Sequence, residues 1–266
     1  MLPPNFPKKS RSTYCRCELL AVSSEKKLDV KKQLKTFFSH ADQNPDGWGL
    51  ATWDDDGEVL LVKEAVNASR SEIVSDILES KCVCSGLFAH IRKATIGHVE
   101  YLNTHPFEKK DANGTNWVLA HNGTIFESSE LDPYFKRQQG TTDSERILLY
   151  LLDQVEGIKD EKKRFDLIDE IIVRLSDKNK LNLLLFDGKN VYVHKNEENT
   201  MYQKSEDGYT IFSTKPLDDG NWTSVPMNQL QIYRDGQKIY EGTIHDHTYV
   251  FDEEHMRMLY LAYSEL

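Results

Sequence analysis

Residues 17–23 read Cys-Glu-Leu-Leu-Ala-Val-Ser, a thiol at the head of an apolar run. Such a run predicts a buried strand with Cys17 at its tip. A thiol in that place serves as a core residue, a metal ligand or a nucleophile. Free cysteine is among the most buried residue types, so the core reading is the usual one for a single cysteine. What the rest of the chain places around it decides between the three.

The chain has 266 residues, enough for one large domain or two small ones with a sizeable core. Charged residues make up 29% and hydrophobic ones 39%, a globular mixture rather than a disordered one. A net charge of −10 offers no basic footprint for phosphates and argues against a nucleic-acid partner. The Lys8-Lys9-Ser10-Arg11 cluster sits in a Pro-rich leader and reads as a solvated tail. No run is long and apolar enough to cross a bilayer, and residues 1–16 have no apolar segment of the secretory kind. A reducing cytoplasm is the expected compartment. The cysteines are Cys15, Cys17, Cys82 and Cys84, too few for a disulfide scaffold at this length. Their C-x-C spacing is shorter than structural zinc sites use, and Cys82-Val83-Cys84 looks like strand sequence.

Along the chain, residues 1–16 lack periodicity and read as a disordered leader or a propeptide. A strand over 17–23 leads to a helix over 26–39, from the spacing of Leu28, Leu34, Phe37 and Phe38. The turn Asn44-Pro45-Asp46-Gly47 precedes a strand over 48–53, which Asp55-Asp56-Gly57 reverses into a second over 58–62. A helix is predicted over 70–79 with Ser69 as its N-cap, then a strand over 85–91 ending in Arg92. Residues 93–107 read as irregular. A strand over 116–120 runs into His121-Asn122-Gly123. Thr141-Thr142-Asp143-Ser144-Glu145 opens a helix through Ile147 and Leu152, and a second covers 161–175. Short strands follow over 181–186, 190–194, 209–213, 229–233 and 238–240, with a last helix over 252–266. This order predicts an α+β domain with helices packed on sheets. Residues 17–266 are taken as that domain.

Four polar segments lie at strand ends, where sites are usually built: 44–49, 92–105, 121–123 and 141–143. Each has a bland reading. Asn122-Gly123 alone is a turn, Arg92 alone a surface charge, and Asp143 an N-cap. Their joint order is what carries information. Cys-Glu-Leu-Leu-Ala-Val-Ser, Asn-Pro-Asp-Gly-Trp-Gly, Ala-His-Ile-Arg-Lys-Ala-Thr-Ile-Gly, Asn-Thr-His-Pro-Phe, His-Asn-Gly-Thr-Ile and Thr-Thr-Asp-Ser-Glu occur in that succession.

This set resembles the class II glutamine amidotransferase domain, a branch of the N-terminal nucleophile hydrolases, and most of all its standalone members. The motif match runs from Cys17 to Glu145, and residues 212–217 and 222–226 look like the family's closing strands. The resemblance implies a four-layer αββα sandwich. It implies Cys17 as nucleophile, with its own α-amine as base. An α-amine has a pKa of about 8, near the operating pH, where a lysine at about 10.4 is not. The thiolate would attack a side-chain amide to give a thioester that water hydrolyses. The Asn122 side-chain amide and the Gly123 backbone N–H match the oxyanion hole. Arg92 is suited to a bidentate grip on an α-carboxylate and Asp143 to an α-ammonium, with Thr95 bonding the carboxylate or ordering the Arg92 loop. Asn44, Asp46 and Gly47 would lie beside the nucleophile and orient it. His105 and His121 are not needed as bases and read as structural hydrogen-bonders. No metal or other cofactor is required.

Three departures qualify the resemblance. Sixteen residues precede Cys17, so its α-amine is free only if they are removed. Gln43 stands where synthase-linked relatives tend to carry arginine. No acceptor domain is recognisable after the hydrolase region. The expected function is hydrolysis of glutamine or of a γ-glutamyl compound, with a γ-glutamyl-peptide hydrolase or a non-catalytic glutamine-binding regulatory subunit as alternatives. The partners expected are a small-molecule substrate and either a second copy of the chain or a separate ammonia acceptor.

Overall fold

The computed structural model describes residues 17–94 and 97–252. Thirteen strands and four α-helices are formed among them. The apolar runs are continuous because both faces of their strands are covered. Strand β1 (Glu18–Asp29) turns Leu20 and Val22 toward helices α1 (Lys31–Phe38) and α2 (Glu72–Glu79). Its Leu19 and Ala21 face the opposite way, into the space between two sheets. The same division holds in β6 (Asn116–His121): Val118 and Ala120 face the other sheet, while Trp117 and Leu119 pack on α3 (Asp143–Val155) and α4 (Glu161–Ser176).

The first sheet has seven strands. In spatial order they are β11 (Thr223–Ser224), β9 (Tyr202–Glu206), β10 (Tyr209–Ser213), β1, β4 (Val83–Ile91), β2 (Trp48–Trp53) and β3 (Val59–Glu64). The second has six: β13 (Gln237–Glu241), β12 (Gln231–Arg234), β8 (Val191–His194), β7 (Leu183–Phe186), β6 and β5 (Phe107–Lys110). All of the pairings are antiparallel. Trp53 stacks on Phe186 across the gap between the sheets, ring centroids 4.0 Å apart. The layers therefore run helix, sheet, sheet, helix, the α+β four-layer sandwich expected.

Several boundaries move. The predicted helix over 26–39 begins only at Lys31, because β1 runs on to Asp29. A register shift between Ser23 and Leu28 lets the strand pair again, Leu28 opposite Cys84 and Asp29 opposite Val83. Cross-strand bonding thus takes residues whose apolar spacing suggested a helix. The N-cap of α2 is Ser71, whose Oγ accepts from Val74 N at 3.1 Å. Ser69 instead lies in a 3-10 turn capped by Asn67. Strand β5 falls partly within the stretch read as irregular, β9 was not foreseen, and β11 falls within 222–226, read as a closing strand. The predicted leader and Cys15 lie outside the described residues, as does nearly all of the predicted last helix.

Candidate functional site

Register gathers the candidate residues at one end of both sheets. Glu18 and Trp48 both oppose Ile91, so Cys17, Gly47 and Arg92 are brought to the same end. The backbone bonds continue beyond the strands: Arg92 N donates to Gly47 O at 2.8 Å, and Asp46 N donates to Arg92 O at 3.0 Å. Gly47 has φ +138°, a conformation that favours glycine, and a Cβ there would press on Glu64 O and Thr104 Oγ1 at 3.1 Å. Asp46 Oδ2 accepts from Ala94 N at 2.8 Å and so fixes the segment after Arg92.

The thiol of Cys17 is half-buried and meets the same segment: Sγ lies 3.1 Å from Lys93 N and 3.2 Å from Lys93 O. Burial pushes the thiol up from its ordinary pKa, while the Lys93 hydrogen bond, Arg92 and Lys180 pull it down. Arg92 is buried, with Nη1 donating to His98 O at 3.0 Å. Burial weakens its charge and the nearby Cys17, Asp46, Glu100 and Asp143 support it.

The second sheet supplies the donor side. Asn122 follows β6, its N–H donating to Asn182 O at 2.8 Å, and its Nδ2 donates across the sheets to Cys17 O at 2.6 Å. Gly123 is enforced by crowding rather than by φ. A Cβ there would stand 2.1 Å from both His121 Nε2 and Lys180 O. Asp143, the first residue of α3, is buried, and its Oδ2 accepts from Ile125 N at 2.7 Å. The N-cap position belongs to Thr142, whose side chain makes no capping bond. The Asp143 carboxylate therefore points back to the turn after Asn122 rather than capping its own helix.

Cys17, Arg92, Asn122, Gly123, Asp143, Asp46 and Gly47 are thus brought together. Thr95 lies outside the described residues. The Asn44 side chain is buried with neither amide atom partnered, and its backbone N–H donates to Ala41 O at 2.9 Å. His121 lies 3.0 Å from Ser144 Oγ and 3.2 Å from Lys180 O, a structural hydrogen-bonder as expected. His105 is not the structural hydrogen-bonder expected: both ring nitrogens are buried without a hydrogen-bond partner, and its ring instead packs on His90, centroids 4.5 Å apart, with burial keeping both well below the usual histidine range. Sequence reasoning missed Lys93, whose contribution is a backbone one, and Lys180, a lone lysine before an apolar strand.

This sandwich, with a thiol opposite an Asn-Gly turn at the meeting point of its sheets, defines a class of protein. Residues 16–204 match the family model of the class-II glutamine amidotransferases, and the chain belongs to that family. Among its relatives, an uncharacterized protein of Methanocaldococcus jannaschii is 30% identical over 85% of this chain and 71% of its own. The gamma-glutamyl-hercynylcysteine sulfoxide hydrolase of Mycolicibacterium smegmatis is 24% identical over 75% of this chain and 82% of its own. A solved structure from Pseudomonas aeruginosa, described as a predicted glutamine amidotransferase, shares the fold at TM-score 0.61. It is 22% identical and is covered in full by 84% of this chain. Among the described residues no helix is long and apolar enough to cross a membrane.

Proposed function

We propose that the chain hydrolyses the side-chain amide of a γ-glutamyl group through a thioester on Cys17. The supporting observation is the convergence of the Cys17 thiol and the Asn122 amide, tied by the 2.6 Å bond from Asn122 Nδ2 to Cys17 O. An amide NH2 carries two donors, so one anchors residue 17 while the second serves the developing oxyanion together with Gly123 N–H. Residues 1–16 are removed in the working form, leaving residues 17–266 as the catalytic domain and freeing the α-amine of Cys17. That amine takes the thiol proton and passes it to the departing nitrogen, which leaves as ammonia or an amine. Water then attacks the thioester, the amine again accepting a proton, to release glutamate and the thiol. Arg92 holds the α-carboxylate and Asp143 the α-ammonium, with Thr95 as a further hydrogen-bond donor to the carboxylate. Asn44, Asp46 and Gly47 hold the 44–47 turn that frames residue 17.

Glutamine is the first substrate to test. The named activity of the Mycolicibacterium relative favours a second, a γ-glutamyl compound whose leaving group is larger than ammonia. Both present the same glutamyl end to Arg92 and Asp143. The place of action is the cytoplasm, and the ammonia is released to water or to a separate acceptor enzyme. The experiment is intact mass and N-terminal sequencing of the active protein, with glutaminase and γ-glutamyl-peptide assays in parallel. A glutamine-like electrophile should label Cys17 alone. Labelling elsewhere, or full activity in Cys17→Ala, overturns the reading. A chain that binds glutamine and releases no ammonia makes it a regulatory subunit instead.

A further inference from the structure

Lys180 meets the Asn122 turn with both its backbone and its side chain. Its carbonyl fills the place a Cβ on Gly123 would need, and its N–H and carbonyl pair with Thr124. Its Nζ lies 3.3 Å from Asn122 Oδ1 and 3.1 Å from Glu197 Oε2, on a side chain only 12% exposed. An ammonium donates and never accepts, so the Asn122 atom beside it is the oxygen. The NH2 is then turned the other way, onto Cys17 O. With the amide reversed, NH2 would face an ammonium and a carbonyl oxygen would face both Cys17 O and any oxyanion. Both contacts would be repulsive in a site where charges are weakly screened.

We propose that Lys180 is a positioning residue of this site: its ammonium locks Asn122 with the donor side toward residue 17 and sets a positive charge one amide group away from that residue, while Glu197 tempers that charge. The inference rests on the reading of Cys17 as nucleophile and Asn122 as donor. Lys180 touches no reacting atom in this scheme. It acts through the amide it orients and through its charge, which opposes the upward push of burial on the Cys17 thiol alongside the Lys93 hydrogen bond and Arg92.

The test uses the processed protein, its N-terminus confirmed as Cys17 by sequencing, and two readouts. One is the pH dependence of Cys17 alkylation by iodoacetamide, followed by mass spectrometry. The other is glutamine hydrolysis. Lys180→Met is expected to move the alkylation midpoint to higher pH and to lower kcat by a factor on the order of 10 to 100, with KM little changed; removing the oxyanion donor itself costs more. Lys180→Arg should recover most of both. Glu197→Gln should move the midpoint the other way, to lower pH, which damage to the fold would not do. Unchanged midpoint and kcat in Lys180→Met overturn the inference and leave the functional reading in place. Equal loss in the Met and Arg variants, with no opposite shift in Glu197→Gln, also overturns it. A wild type that hydrolyses nothing, yet whose midpoint shifts as described, overturns the functional reading while supporting the role of the Lys180 charge.

Discussion

Trimming Asn122 to alanine removes the group that grips the Cys17 carbonyl at 2.6 Å and that is proposed to serve the oxyanion. The loss expected is about 100- to 1000-fold in kcat, since such a donor acts where charge develops. Steady-state kinetics on glutamine checks it, and a change confined to KM would contradict it. Gly123→Ala tests a different property of the same turn. The added methyl must displace Lys180 O or His121 Nε2, each 2.1 Å away, so backbone has to move. We expect a destabilisation of about 1–3 kcal/mol by denaturant unfolding, with activity lost beyond what the stability change explains. The residues that converge at this end of the sheets were named from the sequence through ordered motifs at strand ends that resemble the family's. Lys180 was not, because a lysine before an apolar strand reads as a solvated flank. The register of β6 against β7, His121 opposite Leu183, and the Thr124–Lys180 bridge beyond it carry it back to Asn122.

At the scale of elements, hydrogen bonds decide boundaries that apolar spacing leaves open. Ser71 and Ser69 are two residues apart, yet only Ser71 offers its Oγ to a helix N–H. Ser71→Ala should therefore cost about 1 kcal/mol in thermal or chemical unfolding. Ser69→Ala removes an exposed contact with Asp42 and should cost well under half of that. Equal effects would mean that the cap is misplaced. The extension of β1 to Asp29 follows the same logic. Leu28 was read as the start of a helical stripe, but its partner Cys84 is distant in sequence and leaves no local trace. Buried strands such as 85–91 and 116–120 were legible because both of their faces meet apolar layers. The short strand β9 was not, having exposed residues and no apolar run of its own, and β11 was marked only by the resemblance of 222–226 to a closing strand.

For the whole molecule, the space between the sheets is where packing is least forgiving. Phe186 stacks on Trp53 there and is 1% exposed, so Phe186→Ala should lower stability by about 3–5 kcal/mol. Acid should unfold the protein through its interior histidines. His90 and His194 are buried and each is held down to about 3, against an ordinary value of 6.5. A base depressed in the folded state contributes stability above its unfolded pKa. That stability is lost as pH falls from about 6.5 toward 3, because the unfolded chain takes up the proton first. Each group adds a slope of up to about 1.4 kcal/mol per pH unit. Unfolding free energy measured between pH 7.5 and 5 should fall accordingly, and His90→Leu should flatten the curve by one proton.

Strand β1 lies between β4 and β10, neighbours drawn from early and late in the chain. Thr214 clasps Leu19 from both sides, its Oγ1 accepting from Leu19 N at 2.9 Å and its N–H donating to Leu19 O at 3.0 Å. A nascent polypeptide can pair β1 with β4 as soon as the first ninety or so residues clear the ribosome, but the other flank waits until β10 emerges. The strand that carries Cys17 is thus flanked on both sides only late in synthesis, and a truncated translation product ending before residue 209 should leave its β10 edge open.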